Sequence, residues 1–183
     1  MNQEQKGSLY VYHEGEKVSE WDGNNFNYTY ENIGGTAIKL TAGADIYRAD
    51  GTQVYSKGDV IKERVEPDRF GTIVISGLTL GAYEITELDS ITGYLKSETP
   101  HSVTIEYTNP WMTESFASLT IQNQRQKAAI KVYTVDAETG NNLAGGQYTL
   151  YAGEDIRNLY GQVLASKDVA LETVTADENG VAT

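Results

Sequence analysis

Apolar and polar residues alternate with a period of two over many short runs of this chain. That is the spacing of strands with one buried face. In the first run, 7–13, Leu9, Val11 and His13 share a face, with Tyr10 and Tyr12 on the other. Phe26–Tyr30 and Thr36–Ala42 follow as strands around the turn residues Ile33-Gly34-Gly35, and Ala49-Asp50-Gly51-Thr52 carries a hairpin signal. Val60–Val65, Thr72–Ile75, Ala82–Leu88, Ser102–Thr108 and Ser115–Gln122 read as further strands, the last two separated by Asn109-Pro110-Trp111. The polar stretch Glu14–Asn25 reads as loop-like.

Some of these runs set a polar group among apolar ones. Tyr83, Ile85 and Glu87 lie two apart and share a face, as do Leu119, Ile121 and Asn123. An unpaired buried carboxylate is costly, so Glu87 needs either a partner or a proton. Leu80-Gly81 before that strand and Thr92-Gly93-Tyr94 after it are turn punctuation.

Composition narrows the fold class to all-β. The chain has 13 Tyr against 3 Phe, is rich in Thr, Val and Ile, and has no long apolar pattern at helical spacing. Its net charge of −12, with no cluster of Lys or Arg, excludes a nucleic-acid partner and opposes binding to anionic lipid. Without cysteine there is neither a disulfide framework nor a thiolate site. His13 and His101 are far apart and lack carboxylates at ligand spacing, and Asp45, Asp50 and Asp59 lack the ordered spacing of a calcium loop. No metal and no cofactor are therefore expected. No signal peptide or membrane span is expected in this stretch of chain either. Asn27-Tyr28-Thr29 matches a glycosylation sequon.

The chain also repeats itself. Residues 2–6, NQEQK, recur as 123–127, NQRQK, and Leu9–His13 recurs as Ile130–Thr134. Ala42–Ile46 returns as Ala152–Ile156, Ser56–Val60 as Ser166–Val169, and the Asp68–Gly71 turn as Asp177–Gly180. The expected organisation is a tail of a preceding repeat or linker over 1–6, a complete domain over 7–127, and the first half of a second copy over 128–183. The second copy holds no counterpart of 76–123 and is expected to be a truncation of a longer array.

With the repeat and the Glu87 strand in view, the chain resembles the B-type (CnaB, SpaA-like) repeat domains of Gram-positive surface proteins, the prealbumin-like modules of adhesin stalks and pilins. The residues that carry this are 78–87, LTLGAYEITE, with Gly93-Tyr94; then 135–140, VDAETG, 143–151, LAGGQYTLY, and 177–180, DENG. The resemblance implies an immunoglobulin-like (prealbumin-like) β-sandwich. It also implies an intramolecular isopeptide site, in which a first-strand lysine attacks a last-strand asparagine beside a catalytic acid on a middle strand. Transferred to this chain, the acid is Glu87 and the amide Asn123, while the lysine position falls on His13 and, in the second copy, on Thr134. An imidazole forms no lasting amide with Asn, so no active cross-link is expected; a buried cluster of His13, Glu87 and Asn123 is expected instead, with a protonated His13 offsetting an ionised Glu87.

Each of these side chains also has a plainer reading: Glu87 as a satisfied buried acid, His13 as a core-edge residue, Asn123 as a strand end bonded to backbone. Lys39, between Ile38 and Leu40, is expected to face outward. Trp21 and Trp111, in polar stretches, either fold back over the core or stand out to bind a glycan or host matrix protein. The leading expectation is a non-enzymatic stalk or spacer repeat of a wall-anchored extracellular protein. Its partners would be neighbouring repeats, with signal, anchor and ligand-binding tip outside this stretch. The rival expectations are a glycan- or matrix-binding module and, less favoured, a two-carboxylate glycosidase, for which no pattern places a second acid opposite Glu87.

Overall fold

A computed structural model describes residues 4–158 and 160–183. The chain folds as strands, all-β as the alternation predicts, and divides into two compact units. Unit 1 comprises residues through Glu16 with Tyr30–Gln126, and unit 2 comprises Lys17–Thr29 with Lys127–Thr183.

In unit 1 the first sheet is built on β1 (Lys6–Trp21). On one side β1 runs parallel to β10 (Glu114–Asn123), in unbroken register from Lys6↔Glu114 to Gly15↔Asn123. On the other it pairs antiparallel with β7 (Ile73–Leu78), with Leu9 opposite Ile75 and Val11 opposite Ile73. Further along, β1 pairs with β2 (Phe26–Asn32). The second sheet has the order β6 (Val60–Val65), β3 (Ile38–Ala42), β8 (Gly81–Glu87), β9 (His101–Ile105). Strands β3 and β8 are antiparallel from Ile38↔Glu87 to Ala42↔Tyr83. A short hairpin of β4 (Ile46–Tyr47) and β5 (Gln53–Tyr55) turns at Asp50-Gly51, where the predicted turn stands.

The alternation explains why these two sheets form one core. Leu9, Val11, Ile73 and Ile121 from the first sheet and Ile38, Leu40, Tyr83 and Ile85 from the second are all buried in one cluster. Each fully buried aliphatic side chain of this kind contributes roughly 1.5–3 kcal/mol. The opposite face of β3 carries Lys39, which is half-buried.

Strand β1 is longer than expected. It continues through Glu14–Trp21, read from the sequence as a loop, because a hairpin ladder with β2 needs backbone partners and not an apolar face. The true turn is at 22–25, where Asp22 accepts bonds from the Asn24 and Asn25 amides and Gly23 takes φ +100°. The hairpin tip groups with unit 2, whereas the sequence placed it inside the first domain.

The expected tail at 1–6 is also different. Residues 1–3 lie outside those described, but Lys6 opens β1, and Gln5 is buried with its amide bonded to Met112 O at 2.7 Å and accepting from Ser115 Oγ at 3.0 Å. Gln5 belongs to unit 1 because its amide satisfies the polar groups of the 108–115 segment.

Unit 2 has β11 (Val132–Tyr133), β12 (Gln147–Tyr151), β13 (Ile156–Arg157), β14 (Val163–Ala165), β15 (Ala170–Thr175) and β16 (Val181–Ala182). Its pairings follow those of unit 1, except that β12–β15 lacks the register shift that β3–β6 has between Ile38 and Leu40. Val132↔Ala182 repeats Val11↔Ile73, and Leu150↔Glu172 with the bulge before Tyr151↔Ala170 repeats Leu40↔Lys62 with the bulge before Thr41↔Val60. The loops repeat too: Asp155 accepts from Lys167 N–H as Asp45 does from Lys57 N–H. Gly58 (φ +89°) and Asp168 (φ +67°) fill the same left-handed turn position, one with the residue that adopts it freely and one with a residue that tolerates it.

Candidate functional site

The period-two pattern sends Glu87 inward from β8, next to Ile85 and Tyr83. From the facing sheet, His13 of β1 points inward after Leu9 and Val11, and Asn123 of β10 after Ile121. Because His13 lies opposite Ile121 in the parallel register, Asn123 is its diagonal neighbour. Three side chains from first, middle and last strands therefore converge between the sheets.

Glu87 is 2 % exposed. The Asn123 amide Nδ2 lies 3.0 Å from each of its oxygens, and Ser97 N–H donates to Oε2 at 2.7 Å. His13 Nε2 approaches Oε1 to 3.3 Å, outside the alignment of a hydrogen bond. Burial pushes the Glu87 carboxyl up, but the facing His13 imidazole, the Ser97 N–H and the Asn123 amide outweigh it and hold the carboxyl below its ordinary range. Glu87 is therefore an ionised, satisfied acid at neutral pH, not a protonated one.

A segment after β8 closes this end of the sandwich. Leu95 N–H donates to Gln124 O at 2.8 Å and Gln126 N–H to Gly93 O at 2.9 Å, which docks 93–97 beside the end of β10. Its backbone then serves the cluster twice, through Ser97 N–H on Glu87 and through Leu95 O, which accepts from Asn123 Nδ2 at 3.1 Å. Gly15, opposite Asn123, permits that approach. A Cβ there would stand 2.4 Å from Tyr94 Cε1 and 2.5 Å from Ile33 Cγ2. Neither backbone group was visible in the sequence; only the Gly93-Tyr94 punctuation marked the segment.

Thr134 of unit 2 has a different setting: its Oγ1 lies 2.6 Å from the Tyr148 hydroxyl, and its N–H donates to Gly180 O. The tryptophans separate. Trp21 ends β1 with its ring against Phe26 at 4.7 Å between centroids, while Trp111 is 91 % exposed in the loop before β10. The acids weighed as calcium ligands cap turns: Asp45 accepts from Lys57, Asp50 from Thr52 and Asp59 from Ser56. Among the described residues no cluster of His, Cys, Asp or Glu could hold a metal, and no helix is long and apolar enough to cross a membrane.

Residues 27–116 match the family model of the SpaA prealbumin-like fold domain. Among solved structures, the chain is similar to the Bacillus anthracis TIE protein, at 18 % identity over 97 % of this chain and 25 % of that one, with a TM-score of 0.50. It is also similar to GBS52, the minor pilin of Streptococcus agalactiae (23 % identity, 70 % of this chain and 48 % of that one, TM-score 0.46). A third is the major pilin SpaD of Corynebacterium diphtheriae (20 % identity, 79 % and 35 %, TM-score 0.43). The chain thus spans between a quarter and a half of the length of these structures. No curated protein matches it.

The low carboxyl pKa of Glu87 fixes the sign of its pH effect. A folded value below the unfolded one, about 4.3, gives stability that is full above that value and lost as pH falls through the folded pKa. Glu87→Gln is expected to cost roughly 1–3 kcal/mol at pH 7. Urea titrations from neutral pH downward should show the difference between wild type and variant shrinking below about pH 4.

Proposed function

We propose, starting from a chain that carries a SpaA-like prealbumin-like fold domain, that it is a non-enzymatic stalk or spacer module of a Gram-positive cell-surface protein of the adhesin or pilin type. Its place would be outside the cell in a wall-anchored array whose neighbours are further repeats of the same kind. The observation that carries this reading is the parallel, in-register pairing of β1 with β10, with His13, Glu87 and Asn123 gathered behind it. Force entering unit 1 at the start of β1 and leaving at the end of β10 slides the two strands along each other. Every bond of the ladder is then loaded together, which is the demand made on a spacer under tension.

His13, Glu87 and Asn123 form in this reading a degenerate isopeptide site. The acid and the amide are in place and the amine is absent, so the tie between first and last strands is non-covalent. The ionised Glu87 fits a structural role better than a catalytic one, since a carboxylate cannot protonate the amide it faces.

A second reading, a glycan- or host-matrix-binding module, draws support from the exposure of Trp111. Trp21, packed on Phe26, adds little to it. Loss of glycan or matrix-protein binding on Trp111→Ala would favour it.

Two experiments test the leading reading. Single-molecule pulling between Lys6 and Gln124 should unfold unit 1 at a force several times that needed between Lys6 and Glu114, where neighbouring strand ends are merely peeled apart; equal forces would contradict the spacer role. In the His13→Lys variant the new amine, on a diagonal neighbour of Asn123 at about 7–8 Å between backbones, should attack its carbonyl carbon and release the amide nitrogen as ammonia. Intact-mass analysis should show that loss, and an unchanged mass would count against the degenerate site.

A further inference from the structure

The two faces of the sheet formed by β7, β1 and β10 differ in chemistry. Its inner face is largely aliphatic, whereas the outer one carries aromatic rings among hydroxyl groups. Tyr10 and Tyr12 point outward from β1, in alternation with the inward Leu9, Val11 and His13, and Phe116 points outward from β10 between Ser115 and Ala117. The register sets them side by side: Ser8 is opposite Phe116, and Tyr10 stands between Ser118 and Val74. The Tyr10 and Phe116 ring centroids lie 6.2 Å apart with the rings tilted by 43°. Phe116 is 55 % exposed, Val74 48 % and Tyr12 37 %. A contiguous apolar strip left open to water on one sheet face marks an interaction surface.

Both ends of the strip are polar. At one end the buried Ser8 donates from Oγ to the Glu114 carboxylate and lies 2.9 Å from Ser76 Oγ. A hydroxyl has one proton, so with Ser8 committed to the carboxylate, Ser76 donates to Ser8 and keeps a lone pair for an outside donor. At the other end Gln122 Nε2 donates to Glu14 Oε2 at 3.1 Å. Between Ser8 and Glu14 the strand runs about 20 Å. Ser118 and Thr120 add exposed hydroxyls along that length.

We propose that this outer face binds an extended, neutral, β-linked oligosaccharide, laid along β1 with its sugar faces on Tyr10, Tyr12 and Phe116. A sugar ring is apolar on its faces and polar round its edge, which matches aromatic rings interleaved with hydroxyls. The centre of a protein–protein interface has a different make-up, being depleted in serine and in acidic residues. Charge narrows the class of sugar. Carboxylates stand at both ends, no outward position between them is Lys or Arg, and the bordering Lys6 is paired with Glu4 at 2.6 Å. Glu14 and Glu114 therefore accept from sugar hydroxyls and repel uronate or sulfate groups. The site stands on unit 1 alone and depends neither on the stalk reading nor on Trp111.

The probes are chitohexaose and cellohexaose, titrated into the isotope-labelled full chain, with an oligogalacturonate of the same length as anionic control. At least one neutral probe should bind saturably, with amide shift changes centred on Tyr10, Tyr12, Val74 and Phe116. Phe116→Ala, which removes an exposed ring and leaves the core intact, should weaken binding roughly tenfold, the upper end of what one aromatic contact contributes. The oligogalacturonate should not bind. Absence of shifts on these strands at millimolar concentrations of both neutral probes would overturn the proposal, and so would shifts confined to the Trp111 loop or to another surface. Equal binding of the oligogalacturonate, or a dimer formed through this face that the sugars do not displace, would do the same. The shift map is read on the wild-type chain and needs no variant to fold.

Discussion

Burying one carboxylate between two apolar sheets is the constraint around which unit 1 is arranged. Glu87 cannot be left alone in that setting, since an uncompensated buried charge costs several kcal/mol. Its satisfaction recruits His13 and Asn123 from the first and last strands of the opposite sheet and a backbone N–H from the segment that closes the sandwich. The strands it joins are those whose pairing brings the beginning and end of the unit together, so the electrostatic demand of one side chain and the topology reinforce each other. The plain reading of Glu87 as a satisfied buried acid and its reading as a member of a cluster are then one description.

The repeat shows how far the scaffold is independent of that cluster. Unit 2 keeps the strand pairings, the bulge before Tyr151 and the aspartate-capped loops of unit 1, yet lacks the register shift between Ile38 and Leu40 and has Thr134 where unit 1 has His13 and Tyr148 where unit 1 has Ile38. Turn chemistry and hairpin register are local and survive on their own. The interior differs: Ile130 and Leu150 are exposed where Leu9 and Leu40 of unit 1 are buried.

Much of this was legible before any coordinates. Alternation put Leu9, Val11 and His13, then Tyr83, Ile85 and Glu87, then Ile121 and Asn123 on inward faces, because the strand period leaves no other choice once the aliphatic neighbours are buried. That these faces meet was not in the periodicity, which fixes sidedness and says nothing of which strands oppose each other; it came with the family resemblance. Ser97 N–H and Leu95 O were invisible, since backbone groups of a loop carry no residue signature. Glu14–Trp21 was misread because a hairpin paired through its backbone shows no apolar stripe, and Gln5 because one buried amide looks like any polar residue near a chain start.

The most direct measure of whether His13 and Glu87 act as a unit is a double-mutant cycle with His13→Gln and Glu87→Gln, each stability taken from urea unfolding at pH 7. The geometry predicts a coupling of about 0.5–3 kcal/mol, the range for residues that share one buried network. Effects that simply add, to within about 0.3–0.5 kcal/mol, would mean that the imidazole and the carboxylate do not sense each other, and would contradict the tie between the sheets.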